Sequence, residues 1–316
     1  MDIDALLRDF GELTVTGLAQ GAIYALFALG YTLVYGVLRL INFAHSEVFM
    51  VGTFAAVLTW RAFGLDQNSP VPPAAEAAGY LLVALVVAML AAGLTALVVE
   101  RVAYRPLRRR NAPVLAFLIT AIGASVVLSE AAGVLTRRQV QPTPSLVRST
   151  TVVQFGSTRV TTLQIVLVAT ALVMMAGLDL FVHRTRLGRG IRAVAQNPEV
   201  ATLMGVNRDR VIRLVFLLGG LMAGVAALLY DLKIGNPKYN VGFDLGVKAF
   251  AAAVLGGIGN LRGALLGGLL LGVVENYGAA LFGSNCINAV AFVVLVLALM
   301  FRPTGLLGES LGRARA

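Results

Sequence analysis

Few side chains of this sequence could take part in acid–base or ligand-binding chemistry within its long apolar stretches. His45 and Glu47 place an imidazole and a carboxylate at the start of one stretch, and Glu130 and Glu275 are the clear acids inside others. His45 and Glu47 are two residues apart and would point to different faces of a helix, so they do not form a ready catalytic pair. Ionisable groups in such a setting usually face a cavity or a partner, because burying them alone is costly.

The motifs of known enzyme classes are missing. The histidines are His45 and His183, and Cys286 is the single cysteine. There is no zinc motif, no catalytic Ser-His pair and no pair of aspartates among the apolar stretches, which disfavours an intramembrane enzyme. Gly256 to Gly259 lacks the GK[ST] ending of a phosphate-binding loop. We therefore expect no catalytic residue, no metal, no cofactor and no ATP hydrolysis by the chain itself.

Composition indicates a membrane protein. The 316 residues are 58% hydrophobic and 13% charged, whereas a soluble domain carries about a quarter charged residues. Tyr80 to Val99 and Cys286 to Phe301 each come close to the roughly 20 apolar residues that cross a bilayer as a helix. The net charge of +10 lies largely between such stretches, where basic residues orient a chain in the membrane. The expected environment is lipid, and nucleic acid is not an expected partner.

Apolar runs and their breakers predict an all-α polytopic membrane protein with a single transmembrane domain over residues 1–316. A shorter Gly-rich run, Val247 to Ile258, is a broken helix that either crosses fully or re-enters, so the count is about 8 to 9 transmembrane helices. The eight clear spans cover residues 13–37, 43–62, 78–100, 113–136, 162–182, 211–230, 263–282 and 286–302.

The arginines set the predicted orientation. The densest Arg loops are Arg101 to Arg110 and the loop at residues 183–210, and both should be cytoplasmic. The loop at residues 137–161 then lies outside, although it also carries arginines, and its Pro, Thr, Val and Gly pattern is typical of short strands or extended chain. The N-terminus should be outside and the tail from Arg302 cytoplasmic, with no cleaved targeting segment in Met1 to Glu12.

The first span carries a polar and aromatic stripe. Gln20, Tyr24, Phe27, Tyr31 and Tyr35 recur at helical spacing and fall within a narrow arc. Such a stripe either packs against a polar neighbour or lines a water-accessible path, and these readings are about equally supported. For the path we single out Gln20, Tyr24 and Tyr31.

Two interrupted segments stand at corresponding places in the two halves. The first, Asn42 to Glu47, either caps a helix or forms a broken helix beside a path, and Asn42, His45, Ser46 and Glu47 are its candidate residues. In the second half, Asn236-Pro237 and Gly242 to Gly246, with Asp244, precede a short helix from Val247 to Leu255. Paired interruptions of this kind are typical of inverted-repeat transporters with the path at the repeat interface.

One face of the seventh span carries small residues, with Ala264, Gly268 and Gly272 at every fourth position and Ala279 two turns further on, and with Glu275 among them. Small residues let membrane helices approach closely, so this face predicts a packing seam. Glu275 is either a buried hydrogen-bonding staple or a path residue.

The cytoplasmic loop contains a firmly delimited short helix. Asn197 should cap its N-terminus, Pro198 occupies the first helical position, Glu199 lies in the first turn and Gly205 follows the end. A plain connector needs only a few residues. A loop this long, basic and ordered is expected to bind a partner on the cytoplasmic side.

The sequence resembles the LivH-type permease subunits of branched-chain amino acid ABC importers over nearly its whole length. The resemblance is carried by Leu40 to Glu47, Val99 to Arg108, Gly188 to Asn207, and Val254 to Gly268 followed by Glu275. Ser46 stands where the family usually has Gly. The resemblance implies a type II-like importer fold with inverted repeats, a second homologous permease subunit as heterodimer partner, two cytoplasmic ATPases and an extracytoplasmic solute-binding protein.

The resemblance also implies where the ATPase binds and what is carried. Gly188 to Asn207 matches the family's coupling helix, so ATPase coupling is expected at Gly188, Arg192, Ala193, Asn197, Pro198, Ala201 and Gly205. The implied function is the movement of branched-chain or related hydrophobic amino acids across the inner cell membrane, powered by the separate ATPases. Permeases for urea or short amides look similar and stay an alternative. An ion-coupled secondary transporter would need several mid-membrane acids, where Glu130 and Glu275 are the clear ones.

Overall fold

The computed structural model describes residues 9–147, 150–155, 158–283, 286–302 and 304–308, and it is mainly helical. Met1 to Arg8, Arg148 and the tail from Glu309 to Ala316, for which the sequence made topological predictions, lie outside the described residues. In chain order the elements are α1 Phe10–Leu38, α2 His45–Ala62, α3 Ala74–Val99, a π-helical segment Glu100–Tyr104, α4 Arg105–Arg109, α5 Val114–Leu135, β1 Thr151–Phe155, β2 Thr158–Thr161, α6 Thr162–Arg184, α7 Arg186–Gln196, α8 Pro198–Leu203, α9 Arg208–Lys233, α10 Val241–Gly256, α11 Leu261–Phe282 and α12 Ile287–Phe301.

Each of the eight predicted spans is a helix whose ends differ by a few residues from the prediction. Within the described residues, six helical stretches are long and apolar enough to cross a membrane, and α12 is a shorter apolar helix. These six are Phe10–Leu38, Ala74–Arg109, Val114–Leu135, Thr162–Arg184, Arg208–Lys233 and Leu261–Phe282. The chain is therefore a multi-pass helical membrane protein.

Two segments differ from the prediction. Arg101 to Arg110 was predicted as a loop, but the helix continues through a π turn into α4. Pro106 has no N–H to donate to the carbonyl four residues earlier and its ring would clash there, and a wider turn before it relieves both problems. The predicted helix Val247 to Leu255 begins earlier, at Val241, because Gly242 lets its first turn lie against the Ser46 backbone, where a Cβ would come within 2.4 Å of the Ser46 carbonyl oxygen.

The described residues form two compact units. The first comprises residues 1–36, 149–179 and 248–316. Its central contact is between α1 and α11, where Gly17 and Gly21 meet Gly268 and Gly272. A Cβ on Gly268 would lie 2.4 Å from the Cα of Ala25, so the two backbones approach closer than any larger residue permits.

The C-terminal part of this unit forms backbone hydrogen bonds with the end of α10. The Leu306 N–H donates to the Leu255 carbonyl at 2.8 Å, and the Leu307 N–H donates to the Gly256 carbonyl at 2.9 Å. Gly257 adopts φ 104°, a conformation that favours glycine. Asn260 then caps α11 by accepting from the Arg262 and Gly263 N–H groups.

The second unit comprises residues 37–148 and 180–247, and α9 forms its centre by packing against α2 and α3. Small residues set the spacing here as well. A Cβ on Gly224 would lie 2.6 Å from the Met89 Cα, and one on Gly220 would lie 2.8 Å from the Ala92 carbonyl oxygen. Near the end of α2, Trp60 is fully buried in an apolar cluster with Ala88 and Leu228.

The predicted extended region between α5 and α6 contains a short hairpin. Strands β1 and β2 pair antiparallel, with Thr151 opposite Thr161 and Phe155 opposite Thr158. Earlier in this region, the Gln141 N–H donates to the Pro237 carbonyl at 3.0 Å. The expected strands are confirmed for the described part of the loop.

Candidate functional site

A charged cluster lies inside the first unit. The Tyr24 hydroxyl donates to Glu275 Oε2 at 2.7 Å and receives a hydrogen bond from Gln20 Nε2 at 3.0 Å. The Lys248 ammonium lies 3.1 Å from Glu275 Oε1 and 3.5 Å from the Tyr24 hydroxyl. The Glu275 side chain is 3% exposed and that of Lys248 is 17% exposed. The cluster therefore ties α1, α10 and α11 together through a buried ion pair.

Towards the C-terminal end of α1, further aromatic residues of the stripe contact one another and α10. The rings of Phe27 and Tyr31 stack at 5.4 Å, and Tyr31 meets Phe250 edge to face at 6.1 Å. Tyr24 and Tyr31 are buried, while Gln20 is half-buried. In this conformation the aromatic stripe faces protein, and the polar neighbour that the pattern anticipated is the Lys248–Glu275 pair.

The second unit contains the helix break of residues 39–44. Asn42 is buried, and its Oδ1 accepts a hydrogen bond from the Tyr104 hydroxyl at 3.0 Å. Its backbone carbonyl accepts from the His45 N–H at 3.1 Å, which begins α2. His45 is itself buried at this first helical position. The break is thus a fixed turn with polar groups inside protein.

Glu47 is buried in the first turn of α2. Its Oε1 accepts from the Ser125 hydroxyl at 3.1 Å, while the single Ser46 hydroxyl proton goes to the Phe43 carbonyl at 2.6 Å. A Cβ on Gly242 would lie 2.7 Å from Glu47 Oε2, so this oxygen faces the first turn of α10. This oxygen accepts no hydrogen bond from the described residues.

Asp244, the remaining path candidate, also lies in the first turn of α10 but is exposed. The structure therefore brings Ser46, Glu47 and the N-terminus of α10 together. Among the described residues, no group of three His, Cys, Asp or Glu side chains is arranged to hold a metal ion.

Two charged residues of the helices, Lys248 and Asp231, were not predicted from the sequence to have a role. Lys248 lies in a run that was interpreted through its glycines, yet a lysine inside an apolar helix with one acid in a neighbouring span was a usable signal. Asp231 lies one residue beyond the predicted span end at 230, but α9 continues to Lys233 and buries it. Neither carboxylate oxygen of Asp231 has a hydrogen-bond partner within the described residues.

The loop at residues 183–210 forms two short helices. As predicted, Asn197 caps α8, and its Oδ1 accepts from the N–H groups of Glu199 and Val200 at 3.0 and 3.1 Å. Pro198 begins the helix, and Gly205 follows it with φ 85°. Thr185 caps α7 in the same way by accepting from the Gly188 N–H at 2.9 Å.

The residues singled out in this loop do not all face the same way. Ala201 is 4% exposed and Gly188 is also buried, with a Cβ on Gly188 falling 2.2 Å from the Val182 carbonyl oxygen. Arg192 and Asn197 are exposed, and Ala193 and Pro198 are half-buried. The outward apolar residues are Leu203 at 86% and Met204 at 80%, with Val200 and Leu187 also exposed. The loop thus packs on its own chain through its small residues and presents larger ones outward.

A second ion-pair network joins this loop to α4. Arg108 Nη2 lies 2.7 Å from Glu100 Oε1 and 3.0 Å from Asp209 Oδ1. Glu100 is buried and the Arg108 side chain is 9% exposed, whereas the Asp209 side chain is 43% exposed. Arg108 was counted only among orienting arginines in the sequence, because nothing in the spacing shows that it meets Asp209.

Comparison with known families bears directly on these elements. The family model described as the permease component of the branched-chain amino acid transport system matches residues 13–301, which include both charged networks and the loop at residues 183–210. The chain belongs to this family.

Two relatives within the family cover almost the whole permease. The high-affinity branched-chain amino acid transport system permease protein BraD of Pseudomonas aeruginosa is 42% identical over 93% of this chain and 94% of its own length. The corresponding protein LivH of Escherichia coli is 39% identical, with the same two coverages. Among solved structures, PsaBC from Streptococcus pneumoniae in complex with Fab has a TM-score of 0.47 at 12% identity, covering 96% of this chain and 95% of that one.

Proposed function

We propose that this permease carries branched-chain or related hydrophobic amino acids through the inner membrane as the membrane subunit of an ABC importer. The observation that carries the proposal is the 42% and 39% identity, over 93% of the chain, to two permeases named for branched-chain amino acid transport. Its partners in the proposal are a second homologous permease, two cytoplasmic ATPases and an extracytoplasmic solute-binding protein. The chain itself hydrolyses no ATP.

The proposed membrane arrangement is a single transmembrane domain of the type II-like importer class, with inverted repeats and eight or nine crossings. It adds α2, α12 and the short α10 to the six long apolar stretches. The N-terminus lies outside, and the C-terminus and the loop at residues 183–210 lie in the cytoplasm, a parity that requires α10 to cross as the ninth helix. The arginines of α4 and of this loop support that orientation.

The coupling surface in this proposal is the outward side of α7 and α8. Asn197, Pro198 and Gly205 fix the shape of α8, Gly188 and Ala201 seat the loop against its own chain, and Ala193 lies at the margin of that contact. Leu203 and Met204 then project as apolar anchors, and Arg192 in the same loop is also exposed. A partner ATPase that covers these side chains would remove apolar area from water, which favours docking.

We expect ATP-dependent leucine uptake only from the assembled transporter. Liposomes that contain this permease, its partner permease and both ATPases are supplied with binding protein outside and ATP inside, and labelled leucine is counted. Liposomes with the permease alone serve as control and should accumulate none. Preferential uptake of urea would contradict the substrate assignment, and uptake by the permease alone on a proton or sodium gradient would contradict the whole proposal.

The residues proposed for the path are Gln20, Tyr24 and Tyr31 on α1, Asn42, His45, Ser46 and Glu47 at the break before α2, and Asp244 at the start of α10. Tyr24 and Tyr31 are buried in this conformation, so they would reach water only in another transport state. Glu47 and Ser46 support the proposal because polar groups in a membrane protein usually face a partner or a path.

Single cysteines test this path in a Cys286→Ala background. Cysteines at Gln20, Ser46 and Asp244 should react with a membrane-impermeant thiol reagent in the nucleotide-free or the vanadate-trapped complex. Ala88, which is buried, and Leu90, which is exposed on the apolar face of α3, supply the controls. Reaction rates at the path positions no higher than at these two positions, in both states, would assign the stripe and the break to packing.

A further inference from the structure

Within the second unit, two sets of polar contacts, connected by the π-helical segment, join the start of α9 to the break before α2. Asp209, in the first turn of α9, accepts from Arg108 Nη2 at 3.0 Å, and the same nitrogen donates to Glu100 Oε1 at 2.7 Å. Glu100 is the first residue of the π-helical segment and Tyr104 is its last. The Tyr104 hydroxyl then donates to Asn42 Oδ1 at 3.0 Å.

We infer that the π-helical segment Glu100–Tyr104 transmits movement of the cytoplasmic loop to the Asn42 break, with Arg108 and Tyr104 as positioning residues at its two ends. The inference rests on the proposed function, because an ATPase is what would move the loop. It deepens that proposal by naming the route from the docking surface to the polar residues at the start of α2.

At the end of the route nearest the loop, Asp209, Arg108 and Glu100 are expected to move together. Asn207 caps α9 by accepting from the Arg210 N–H at 3.0 Å, so Asp209 belongs to a helical turn that follows directly on Gly205 and the loop. Arg108 and Glu100 form a buried ion pair, and separating it would strand a charge in a low-dielectric setting. A displaced Asp209 therefore pulls on Arg108 and Glu100 together.

The segment between the two ends contains a π-type hydrogen bond, which a shift by one residue would convert to the α-helical pattern. The Arg105 N–H donates to the Glu100 carbonyl, five residues back, in place of the α-helical partner. A π turn holds one residue more than an α turn, so a shift of its hydrogen bonds by one residue would rotate the following chain by about 100°. Discrete alternatives of this kind, rather than continuous bending, are what can carry coupling between distant sites.

The far end of the segment is anchored by both parts of the Tyr104 side chain. Its ring lies 5.9 Å from that of Phe117 and 5.2 Å from that of Phe216, and its hydroxyl reaches Asn42. Tyr104 and Asn42 are both buried, so water does not compete for this hydrogen bond. A rotation at Tyr104 must therefore either carry Asn42 with it or break the contact.

Two gentle substitutions separate transmission from simple anchoring. Tyr104→Phe keeps the ring and removes the hydroxyl, and Asp209→Asn keeps the buried Arg108–Glu100 pair and weakens the link to the loop. In the reconstituted transporter, ATP hydrolysed per leucine taken up should rise with either change, by up to about fivefold if one hydrogen bond governs the step. The double variant should be no worse than the more severe single one, because both changes interrupt the same route. Tyr80→Phe, in the same unit, should leave the ratio unchanged.

Independent anchoring gives different results, and each of them would overturn the inference. The ratio would stay at the wild-type value while the melting temperature falls, or the two single effects would multiply in the double variant. Hydrogen exchange of the peptide that contains Asn42 adds a readout that needs no transport. ATP should alter this exchange in the wild-type complex and not in Tyr104→Phe, and an equal change in both would also overturn the inference. A wild-type complex that takes up no leucine contradicts the proposed function instead.

Discussion

Replacing Lys248 by Met should destabilise the permease by about 3–5 kcal/mol, because the change leaves the Glu275 carboxylate buried without its cation. Glu275 is 3% exposed, and its remaining partner is the Tyr24 hydroxyl at 2.7 Å. One neutral donor offsets only part of the cost of burying an anion. The measurement is the midpoint of thermal or denaturant unfolding of the purified protein in detergent.

A matched control separates burial from charge. Glu275→Gln and Glu130→Gln make the same chemical change, but the Glu130–Arg138 pair is 50% and 60% exposed. Exposed pairs contribute about 0–1 kcal/mol, so Glu130→Gln should leave the unfolding midpoint almost unchanged. The double variant Lys248→Met with Glu275→Gln removes both charges and should recover most of the stability lost in either single variant. Equal stabilities of the Glu275→Gln and Glu130→Gln proteins would show that the buried pair contributes nothing.

The double variant also decides between the two roles that the sequence left open for Glu275. A staple needs only that the three helices stay together, so a stable double variant should transport leucine at the wild-type rate. A path residue would interact through its charge with the transported amino acid. In that case the double variant would be stable but would not transport leucine. Stability and uptake measured on the same protein therefore distinguish the staple from the path residue.

Helix positions were predictable because they depend on local sequence. Long apolar runs ending at Gly, Pro and Arg define helices that differ by only a few residues from the predicted spans. The caps at Asn197 and Gly205 were predictable for the same reason, since a cap residue bonds within its own turn. Close packing at Gly268 and Gly272 was predictable from the spacing of small residues. The sequence did not show that their partners are the glycines of α1.

Side-chain partners were not predictable because they join residues far apart in the chain. Glu275 bonds Tyr24 and pairs with Lys248, and Arg108 bonds Asp209 across about a hundred positions. The π turn before Pro106 and the early start of α10 at Val241 depend on tertiary contacts as well as on local propensity. The side of α8 that faces outward also depends on where the loop packs, which placed Ala201 inside.

Replacing Leu203 by Glu should abolish transport while leaving the permease folded. Leu203 is 86% exposed, and surface substitutions change stability by about 0.5 kcal/mol or less. In the proposed complex the same side chain is an apolar anchor at the ATPase, where a buried charge should weaken binding by about 30-fold or more. Co-purification of the ATPases with the permease and ATP-driven leucine uptake should both be lost.

Two further substitutions in the same loop make this result specific to the docking surface. Gln196→Glu adds the same charge at an exposed position of α7 outside the apolar group, and it should retain ATPase binding because the loop there has no anchor to lose. Ala201→Glu places the charge inside the loop's own packing, so it should lower the melting temperature as well as ATPase binding. Normal ATPase binding and uptake by the Leu203→Glu protein would mean that the ATPase does not dock on α8, because an exposed glutamate at the centre of a docked apolar face could not escape desolvation.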